Sequence, residues 1–241
     1  MREFLLIGLV TVSSYLIFWN GYDFFLAICT LVSKKRTYDT SEDAFLYLHI
    51  PANKEGEILI QTIESALKVD YPADQREVVL LAQDLNEALL FTLEQYPITI
   101  IKTGALGSKM NAIKNWINSL DLKGEHLFIL DADNLIHGNA LKFCSAALKS
   151  ANVVQLEREK TQPQTHLAVL DYWNTTVGIT LALHSRLALG LSPFVLGSGF
   201  AIKADVYKRF VNKFENTNVE DKALDLFLIQ HGEKLEYLNT P

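Results

Sequence analysis

A short apolar strand that ends in two carboxylates constrains this chain more than any other stretch. Residues His126–Leu130 are mostly apolar, as a strand buried on both faces requires, and Asp131-Ala132-Asp133 follow directly. Such a run is typical of a parallel-sheet strand with helices on both faces. Ligands of open α/β sheets bind beyond the carboxyl ends of the strands, and Mg²⁺ and Mn²⁺ prefer oxygen ligands. We therefore expect Asp131 and Asp133 to hold a divalent cation and a diphosphate, unless they only form a polar turn.

Segments typical of strands and helices alternate around this strand. Apolar runs that predict strands occur at Ala44–Ile50, Glu77–Ala82, Ile98–Lys102 and Val153–Glu157. Apolar residues at helical spacing predict helices at Glu57–Val69, Glu87–Tyr96, Ser108–Leu120 and Asn139–Ser150. The alternation predicts an α/β fold in which a mostly parallel sheet is covered by helices on both faces.

The alternation breaks after residue 157. Leu167–Leu191 is mostly apolar but carries charged residues, and we expect one or two helices there, packed against the sheet domain. A glycine-flanked turn precedes a short strand at Phe200–Lys203. A helix at Lys222–His231 and a last strand at Leu235–Leu238 complete the expected fold.

The N-terminal stretch Phe4–Val32 is nearly all apolar or small. As a helix it would span roughly 40 Å, more than the hydrocarbon core of a bilayer. The basic cluster Lys34-Lys35-Arg36 follows, so we expect a transmembrane helix with the rest of the chain in the cytoplasm. The alternative is a buried core helix, because Asn20 and Asp23 interrupt the stretch. The expected organisation is an anchor over residues 1–32, a linker over 33–43 and an α/β domain over 44–241.

Composition excludes some functional classes. The net charge of −6 provides no basic excess for a nucleic-acid partner. The two cysteines, Cys29 and Cys144, offer neither a disulfide framework nor zinc-binding spacing.

Five short segments follow one another along the chain. They are Ile50-Pro51-Ala52-Asn53-Lys54-Glu55, Gln83-Asp84, Ser108-Lys109 with Asn111-Ala112, Asp131-Ala132-Asp133, and Asn218-Val219-Glu220-Asp221. In this order they resemble the motifs of family 2 glycosyltransferases with the GT-A fold, of the membrane-attached, processive or glycolipid-synthesising kind. Lys54 stands where the family usually has Asn. The chain ends about where the Q-x-x-R-W segment of the family would begin.

The resemblance implies inverting transfer of a sugar from a nucleoside-diphosphate sugar, UDP-linked by expectation, to a saccharide or lipid acceptor. It implies nucleotide-sugar contacts from Pro51, Ala52, Glu55, Asp84, Lys109 and Asp131. It further implies that Asp131 and Asp133 hold Mg²⁺ or Mn²⁺. Asp221, with Glu220 beside it, would be the catalytic base that takes the proton of the acceptor hydroxyl. The segment Gly197-Ser198-Gly199 would let the backbone approach the acceptor sugar closely.

Other interpretations stay open at this point. A nucleotidyltransferase on a similar sheet would usually carry a glycine-rich basic loop near the first strand, and Pro51–Glu57 contains one glycine. An inactive or truncated transferase that acts as a binding protein is a third possibility. Glu220 and Asp221 also suit an ordinary helix N-terminus, and Gly197 and Gly199 an ordinary turn.

Overall fold

The computed structural model describes residues 2–31, 38–40, 44–102, 109–158, 165–214 and 220–238. The chain divides into two compact units. The first comprises Met1–Arg36 and Glu159–Pro193, and the second comprises Thr37–Arg158 and Phe194–Pro241. Most of the linker expected over 33–43 lies outside the described residues.

The first unit is helical. Helix α1 spans Arg2–Leu31; a second helical segment begins as α6 (His166–Ile179), continues through a π-helical turn (Thr180–His184) and ends as α7 (Ser185–Ala188). Helix α1 packs against the π-helical turn and α7. The helical character expected within Leu167–Leu191 is thus confirmed over most of that range.

The transmembrane helix expected over Phe4–Val32 is not confirmed. A 30-residue helix does form there. Asn20 and Asp23 interrupt its apolar sequence, and Asn20 turns its side-chain amide back onto the Leu16 carbonyl at 2.7 Å. Among the residues that the structure describes, no helix combines the length and the apolar character needed to cross a membrane.

The second unit is built on a sheet of seven strands in the order β3-β2-β1-β4-β6-β5-β7. The strands are β1 (Leu46–Asn53), β2 (Arg76–Gln83), β3 (Thr99–Lys102), β4 (His126–Ile129), β5 (Val153–Leu156), β6 (Phe200–Lys203) and β7 (Leu235–Leu238). Strand β6 pairs antiparallel with both of its neighbours, β4 and β5, and the other pairs are parallel. The predicted mostly parallel α/β sheet is confirmed, with β6 inserted between two strands that run in the same direction.

Helices cover both faces of this sheet, as predicted. One core contains apolar residues of α2 (Ile58–Lys68), α3 (Glu87–Leu93) and α5 (Ala140–Leu148). The other core contains residues of α4 (Lys109–Ser119), α8 (Ala204–Lys213) and α9 (Glu220–His231). Successive residues of a strand face opposite sides, so Leu80 enters the first core while Val79 and Leu81 enter the second. The apolar runs of the central strands follow from this double burial.

Strand β1 continues through Pro51 to Asn53, beyond the end expected at Ile50. Its pairing with β4 ends at His49, whereas its pairing with β2 continues to Asn53. Proline removes a hydrogen-bond donor and is tolerated where a strand lacks a neighbour on one side. Pro51 occupies such a position, because β4 no longer pairs with β1 there.

Helix α8 was not expected from the sequence. It follows β6 without an intervening loop, and no side chain caps its N-terminus. Its buried residues Val206, Tyr207, Phe210 and Val211 recur at helical spacing, and they pack into the second core. The helical periodicity is present, but the sequence carries no start signal for this helix.

Candidate active site

The predicted site residues lie along one edge of the sheet. Parallel pairing brings the carboxyl ends of β1, β2 and β4 to this edge. Ile129 at the end of β4 pairs with Phe200 at the start of β6, so the residues that precede β6 reach the same edge. The order of strands changes direction between β1 and β4, because β2 and β3 lie on one side and β4 on the other. Such a switch point is where open α/β sheets bind ligands.

The loop after β4, residues Asp131–Asn134, is here called the carboxylate loop, and buried hydroxyls hold it from two directions. Thr62 of α2 donates to the Ala132 carbonyl at 2.7 Å. The Ser198 hydroxyl accepts from the Asp131 amide at 2.9 Å and from the Asn134 side chain at 2.8 Å. Thr62 and Ser198 are both fully buried. The backbone of the loop is therefore fixed, with Asp131 half-buried and Asp133 exposed beside it.

The segment before β6, residues Phe194–Gly199, is here called the glycine loop. Gly197 has φ +84° and Gly199 has φ +68°, conformations that favour glycine. Gly199 donates to the Ile129 carbonyl at 2.9 Å, and its own carbonyl accepts from the Leu156 amide at 2.9 Å. These bonds attach the end of the glycine loop to β4 and β5.

The other end of the glycine loop is attached to the first turns of α9. The Val195 amide donates to the Asp225 carboxylate at 2.8 Å, and the Lys222 ammonium lies 5.2 Å from the centre of the Phe194 ring. A Cβ atom placed on Gly197 would lie 3.8 Å from the Asp221 Cβ and 4.0 Å from its Oδ2. The backbone at Gly197 therefore runs directly beside the Asp221 carboxylate.

Asp221 and Glu220 are adjacent in the first turn of α9, but their surroundings differ. The Asp221 side chain is 29% exposed, accepts from the Lys222 amide at 2.8 Å and lies next to Gly197. Glu220 lies near Tyr207: burial raises the pKa of the Tyr207 phenol well above its usual range, and the negative charge of Glu220 raises it further. Between the two carboxylates, Asp221 is the one that the structure places beside the glycine loop.

The ends of β1 and β2 form the second part of the edge. Asn53 pairs with Gln83, and the Lys54 amide donates to the Gln83 carbonyl at 3.1 Å. Lys54 has φ +59° and Asp84 has φ +50°, values that L-amino acids adopt rarely. Asp84 is exposed and Glu55 is half-buried. Two neighbouring strands thus end in the same left-handed turn, with polar side chains at the edge.

Two further predicted contacts belong to the strand itself. Pro51 and Ala52 are buried, and Ala52 packs in the first core. Lys109 begins α4, but its side chain and the neighbouring Ser108 lie outside the described residues. Asn218 and Val219 also lie outside them.

The carboxylates at this edge suit a divalent cation that is coordinated partly by the protein and partly by the substrate. Among the described residues, no group of three or more His, Cys, Asp or Glu side chains is arranged to hold a metal ion. Asp131 and Asp133 provide carboxylate oxygens on a loop of fixed backbone. Magnesium-type sites commonly combine one or two carboxylates with substrate phosphates, so these two residues fit such a cation.

Sequence reasoning missed the polar residues that support the site. Thr62, Gln155 and Asp225 each bond to a backbone group of the carboxylate loop or the glycine loop. Gln155 stands out in the sequence, since it is the polar member of the otherwise apolar strand Val153–Leu156. A polar residue inside a buried strand is a signal that could have identified it.

Comparisons with known proteins identify the family and the fold. A family model described as "Glycosyltransferase like family 2" matches residues 43–240. No curated protein matches the chain. The structure is similar to a mannosyltransferase, PcManGT from Pyrobaculum calidifontis, solved in complex with GDP-Man and Mn²⁺. The TM-score is 0.68 and the identity 17%, over 94% of this chain and 65% of that one.

Two other solved structures are similar in fold. TarS residues 1–349 from S. aureus, in complex with UDP-GlcNAc, matches with a TM-score of 0.55 and 17% identity, over 82% of this chain and 56% of that one. The 4-diphosphocytidyl-2C-methyl-D-erythritol synthase from Anaerococcus prevotii DSM 20548 matches with a TM-score of 0.50 and 13% identity, over 81% of this chain and 86% of that one. The chain thus spans less than two thirds of the two transferases.

These similarities at low identity establish the fold, and the family model covers nearly the whole sheet unit. With that match, the chain belongs to the family 2 glycosyltransferases.

Proposed function

We propose that the chain is a metal-dependent, inverting glycosyltransferase that moves a sugar from a nucleoside-diphosphate sugar to a saccharide or lipid acceptor. The observation that carries the proposal is the path of the glycine loop. One residue of the loop, Gly197, lies beside the Asp221 carboxylate, and the next, Ser198, bonds the amide of Asp131. A single loop thereby connects the candidate base with the candidate metal residues.

Asp131 and Asp133 would hold Mg²⁺ or Mn²⁺ together with the diphosphate of the donor. A divalent cation bound there would offset the charge that develops on the leaving diphosphate. The fixed backbone of the carboxylate loop would keep both side chains at the edge without reorganisation. The half-buried Asp131 would contact the donor as well, and the exposed Asp133 would face the cation.

Asp221 would act as the base. In an inverting transfer, an acceptor oxygen attacks the anomeric carbon from the face opposite the diphosphate, and a base takes the proton of the acceptor hydroxyl. The Asp221 carboxylate is partly exposed, lies beside Gly197 and is fixed by the Lys222 amide. Gly197 has no side chain of its own, so the backbone there would allow an acceptor sugar to approach the carboxylate closely. Glu220 lies near Tyr207 and is the second choice.

The nucleoside would lie toward the ends of β1 and β2, where Glu55 and Asp84 are found. We expect a uridine nucleotide there. The solved neighbours were crystallised with GDP-Man and with UDP-GlcNAc, so both nucleotides belong in a test of the donor.

A membrane location is also part of the proposal. Large apolar side chains such as Phe4, Phe24 and Trp173 are exposed on the helices of the first unit. Exposed apolar surface of this kind commonly marks a membrane or protein contact, and the basic run Lys34-Lys35-Arg36 suits an anionic cytoplasmic leaflet. The full chain should float with anionic vesicles in a density gradient. Recovery at the bottom of the gradient, free of lipid, would contradict this part of the proposal.

A nucleotidyltransferase is the second candidate, supported by the fold similarity to the diphosphocytidyl-methylerythritol synthase. The two functions differ in the bond that breaks. A glycosyltransferase releases a nucleoside diphosphate from a nucleotide sugar, whereas a nucleotidyltransferase releases pyrophosphate from a nucleoside triphosphate.

The deciding experiment incubates the full chain with a panel of UDP- and GDP-sugars, and separately with nucleoside triphosphates plus sugar phosphates. Each incubation is run with Mn²⁺, with Mg²⁺ and with EDTA. We expect nucleoside diphosphate release from one nucleotide sugar, dependent on the metal. Pyrophosphate release from a triphosphate would replace the proposal by the second candidate. Absence of both products would favour a binding protein.

A further inference from the structure

A fully buried glutamine side chain, Gln155, lies behind the glycine loop. It belongs to β5 and pairs with Phe200 of β6 and Tyr237 of β7. A primary amide in the interior of a sheet must be hydrogen-bonded to be tolerated. The hydrogen-bond partners of the Gln155 amide therefore indicate the structural role of this side chain.

Within the described part of the chain, the Gln155 side-chain amide bonds to backbone groups at or next to the glycine loop. Its oxygen accepts from the Leu196 amide at 2.8 Å. Its two N–H groups are shared among the carbonyls of Ser198 at 3.0 Å, Gly199 at 3.1 Å and Leu156 at 2.9 Å. An amide N–H can only donate and a carbonyl can only accept, so this set of partners fixes the orientation of the side chain.

The hydrogen bonds of Gln155 fix the loop on both sides of the residue beside Asp221, and one of them reaches the residue that bonds to Asp131. Leu196 and Ser198 lie on either side of Gly197, the residue beside the Asp221 carboxylate. Ser198 in turn accepts from the Asp131 amide. A shift of the segment between residues 196 and 199 would therefore move the surroundings of Asp221 and release the amide of Asp131 at the same time.

We propose that Gln155 is a positioning residue that couples the geometry of the base to the geometry of the metal-binding carboxylates. It touches neither substrate nor metal, and acts through the glycine loop and the Ser198 hydroxyl. The inference deepens the proposed function and rests on it, because it takes Asp221 and Asp131 as the groups being positioned.

A merely structural role would give a different outcome. A buried amide that only stabilises the sheet would, when replaced, lower the melting temperature and leave the Asp131 amide as protected as before. A positioning role predicts faster exchange at the Asp131 amide, which is linked to Gln155 by two successive hydrogen bonds through Ser198. The test needs a measurement at that amide and one at the ligand.

The first measurement is hydrogen–deuterium exchange at single-residue resolution on the full chain, without ligand. Gln155→Met replaces the amide by an apolar chain of similar length. We expect it to accelerate exchange at Leu196 and at Asp131 by at least tenfold. Ser145→Ala is the matched control, because Ser145 is also buried and bonds one backbone amide, that of Ala44, away from this edge. The control should leave Leu196 and Asp131 unchanged.

The second measurement is a double-mutant cycle on the affinity for UDP or GDP in Mn²⁺. We expect Gln155→Met and Ser198→Ala each to weaken binding about tenfold, and the double variant to be hardly weaker than either single variant. Non-additivity is the signature of residues that act through one path. Where Gln155→Met does not fold, Gln155→Asn, which keeps both amide groups on a shorter chain, takes its place.

Acceleration at Leu196 without any change at Asp131 would overturn the inference, as would additive losses in the cycle. The exchange experiment needs no ligand. If exchange at Asp131 accelerates but no nucleotide binds to the wild-type chain, the coupling stands and the proposed function is the part that fails.

Discussion

The two ends of the candidate ligand-binding edge are built in opposite ways. At the β4–β6 end, side chains from distant parts of the sequence fix both loops. The buried Thr62 and Ser198 bond to the carboxylate loop, and the buried Gln155 and the half-buried Asp225 bond to the glycine loop. Each bond satisfies a backbone group that would otherwise be costly to bury. The loops that carry Asp131, Asp133 and Gly197 are therefore preorganised.

At the β1–β2 end the chain itself sets the geometry. Lys54 and Asp84 adopt left-handed conformations without glycine, which costs on the order of 1–2 kcal/mol each. Both side chains are exposed. The difference shows that side-chain hydrogen bonds fix the backbone at the β4–β6 end, whereas local backbone conformation shapes the β1–β2 end. The groups proposed to take part in bond making lie at the fixed end, as such groups require, whereas the part expected to bind the nucleoside consists of two exposed turns.

The largest effect is expected at the fixed end, for Asp221→Asn. The amide keeps the size of the side chain but cannot accept the proton of the acceptor. Loss of a general base costs about 10²–10⁴-fold in turnover. The donor affinity should stay within about twofold, the pattern of a group that acts only in the transition state.

The control for this variant is Asp74→Asn, the same chemical change at an exposed residue just before β2, at the opposite edge of the sheet. It should leave turnover unchanged. If Asp221→Asn keeps turnover within threefold of the wild type, Asp221 is not the base and Glu220 becomes the candidate.

A comparison of Asp133→Ala with Asp84→Ala contrasts the two ends directly. Loss of an interaction with a charged group costs about 1.5–3 kcal/mol, or roughly 10–100-fold in affinity. We expect a loss of this size for Asp133→Ala, measured as calorimetric binding of UDP or GDP in Mn²⁺. Asp84→Ala should lose less than fivefold. Equal, small losses at both positions would indicate that both are turn residues.

Thr62→Val tests the support of the carboxylate loop. Valine has nearly the same shape, but it leaves the buried Ala132 carbonyl without its donor. We expect a loss of about 1–3 kcal/mol in the free energy of unfolding, measured by chemical denaturation, together with weaker Mn²⁺-dependent nucleotide binding. Lower stability with unchanged Mn²⁺ dependence would show that Thr62 supports the fold and not the loop.

The smallest effect concerns the strained turn at the other end. Lys54→Gly removes the cost of the left-handed conformation, so the free energy of unfolding should rise by up to about 1 kcal/mol. Lys54→Ala keeps the strain and should not stabilise. Gly197→Ala should have the opposite sign and destabilise by about 1 kcal/mol, because its φ of +84° disfavours alanine. A stabilising Lys54→Ala would mean that strain is not the cause.

The sequence predicted the strands better than their arrangement. Apolar runs predicted the ends of every strand to within three residues, because a strand buried on both faces is a continuous run of apolar residues. The antiparallel insertion of β6 beside β4 could not be predicted, since the four residues Phe200–Lys203 carry no signal of direction. Helix α8 was missed because no capping residue marks its start.

The site followed the same division. Asp131, Asp133 and Asp221 stood out because charged residues follow or begin regular elements. The roles of Gln155 and Thr62 could not be predicted, because their partners are backbone groups 41 and 70 residues away. A sequence motif can identify the polar residues of a candidate site. The long-range contacts that fix the loops carrying those residues are seen only in the folded structure.

The most direct test of the central claim is a crystal structure of the full chain with Mn²⁺ and a nucleoside diphosphate, with manganese located by its anomalous scattering. We predict manganese within about 2.5 Å of a carboxylate oxygen of Asp131 or Asp133, with the diphosphate beside it and the nucleoside toward Asp84. Manganese and nucleotide bound elsewhere, with this edge of the sheet empty, would contradict the account.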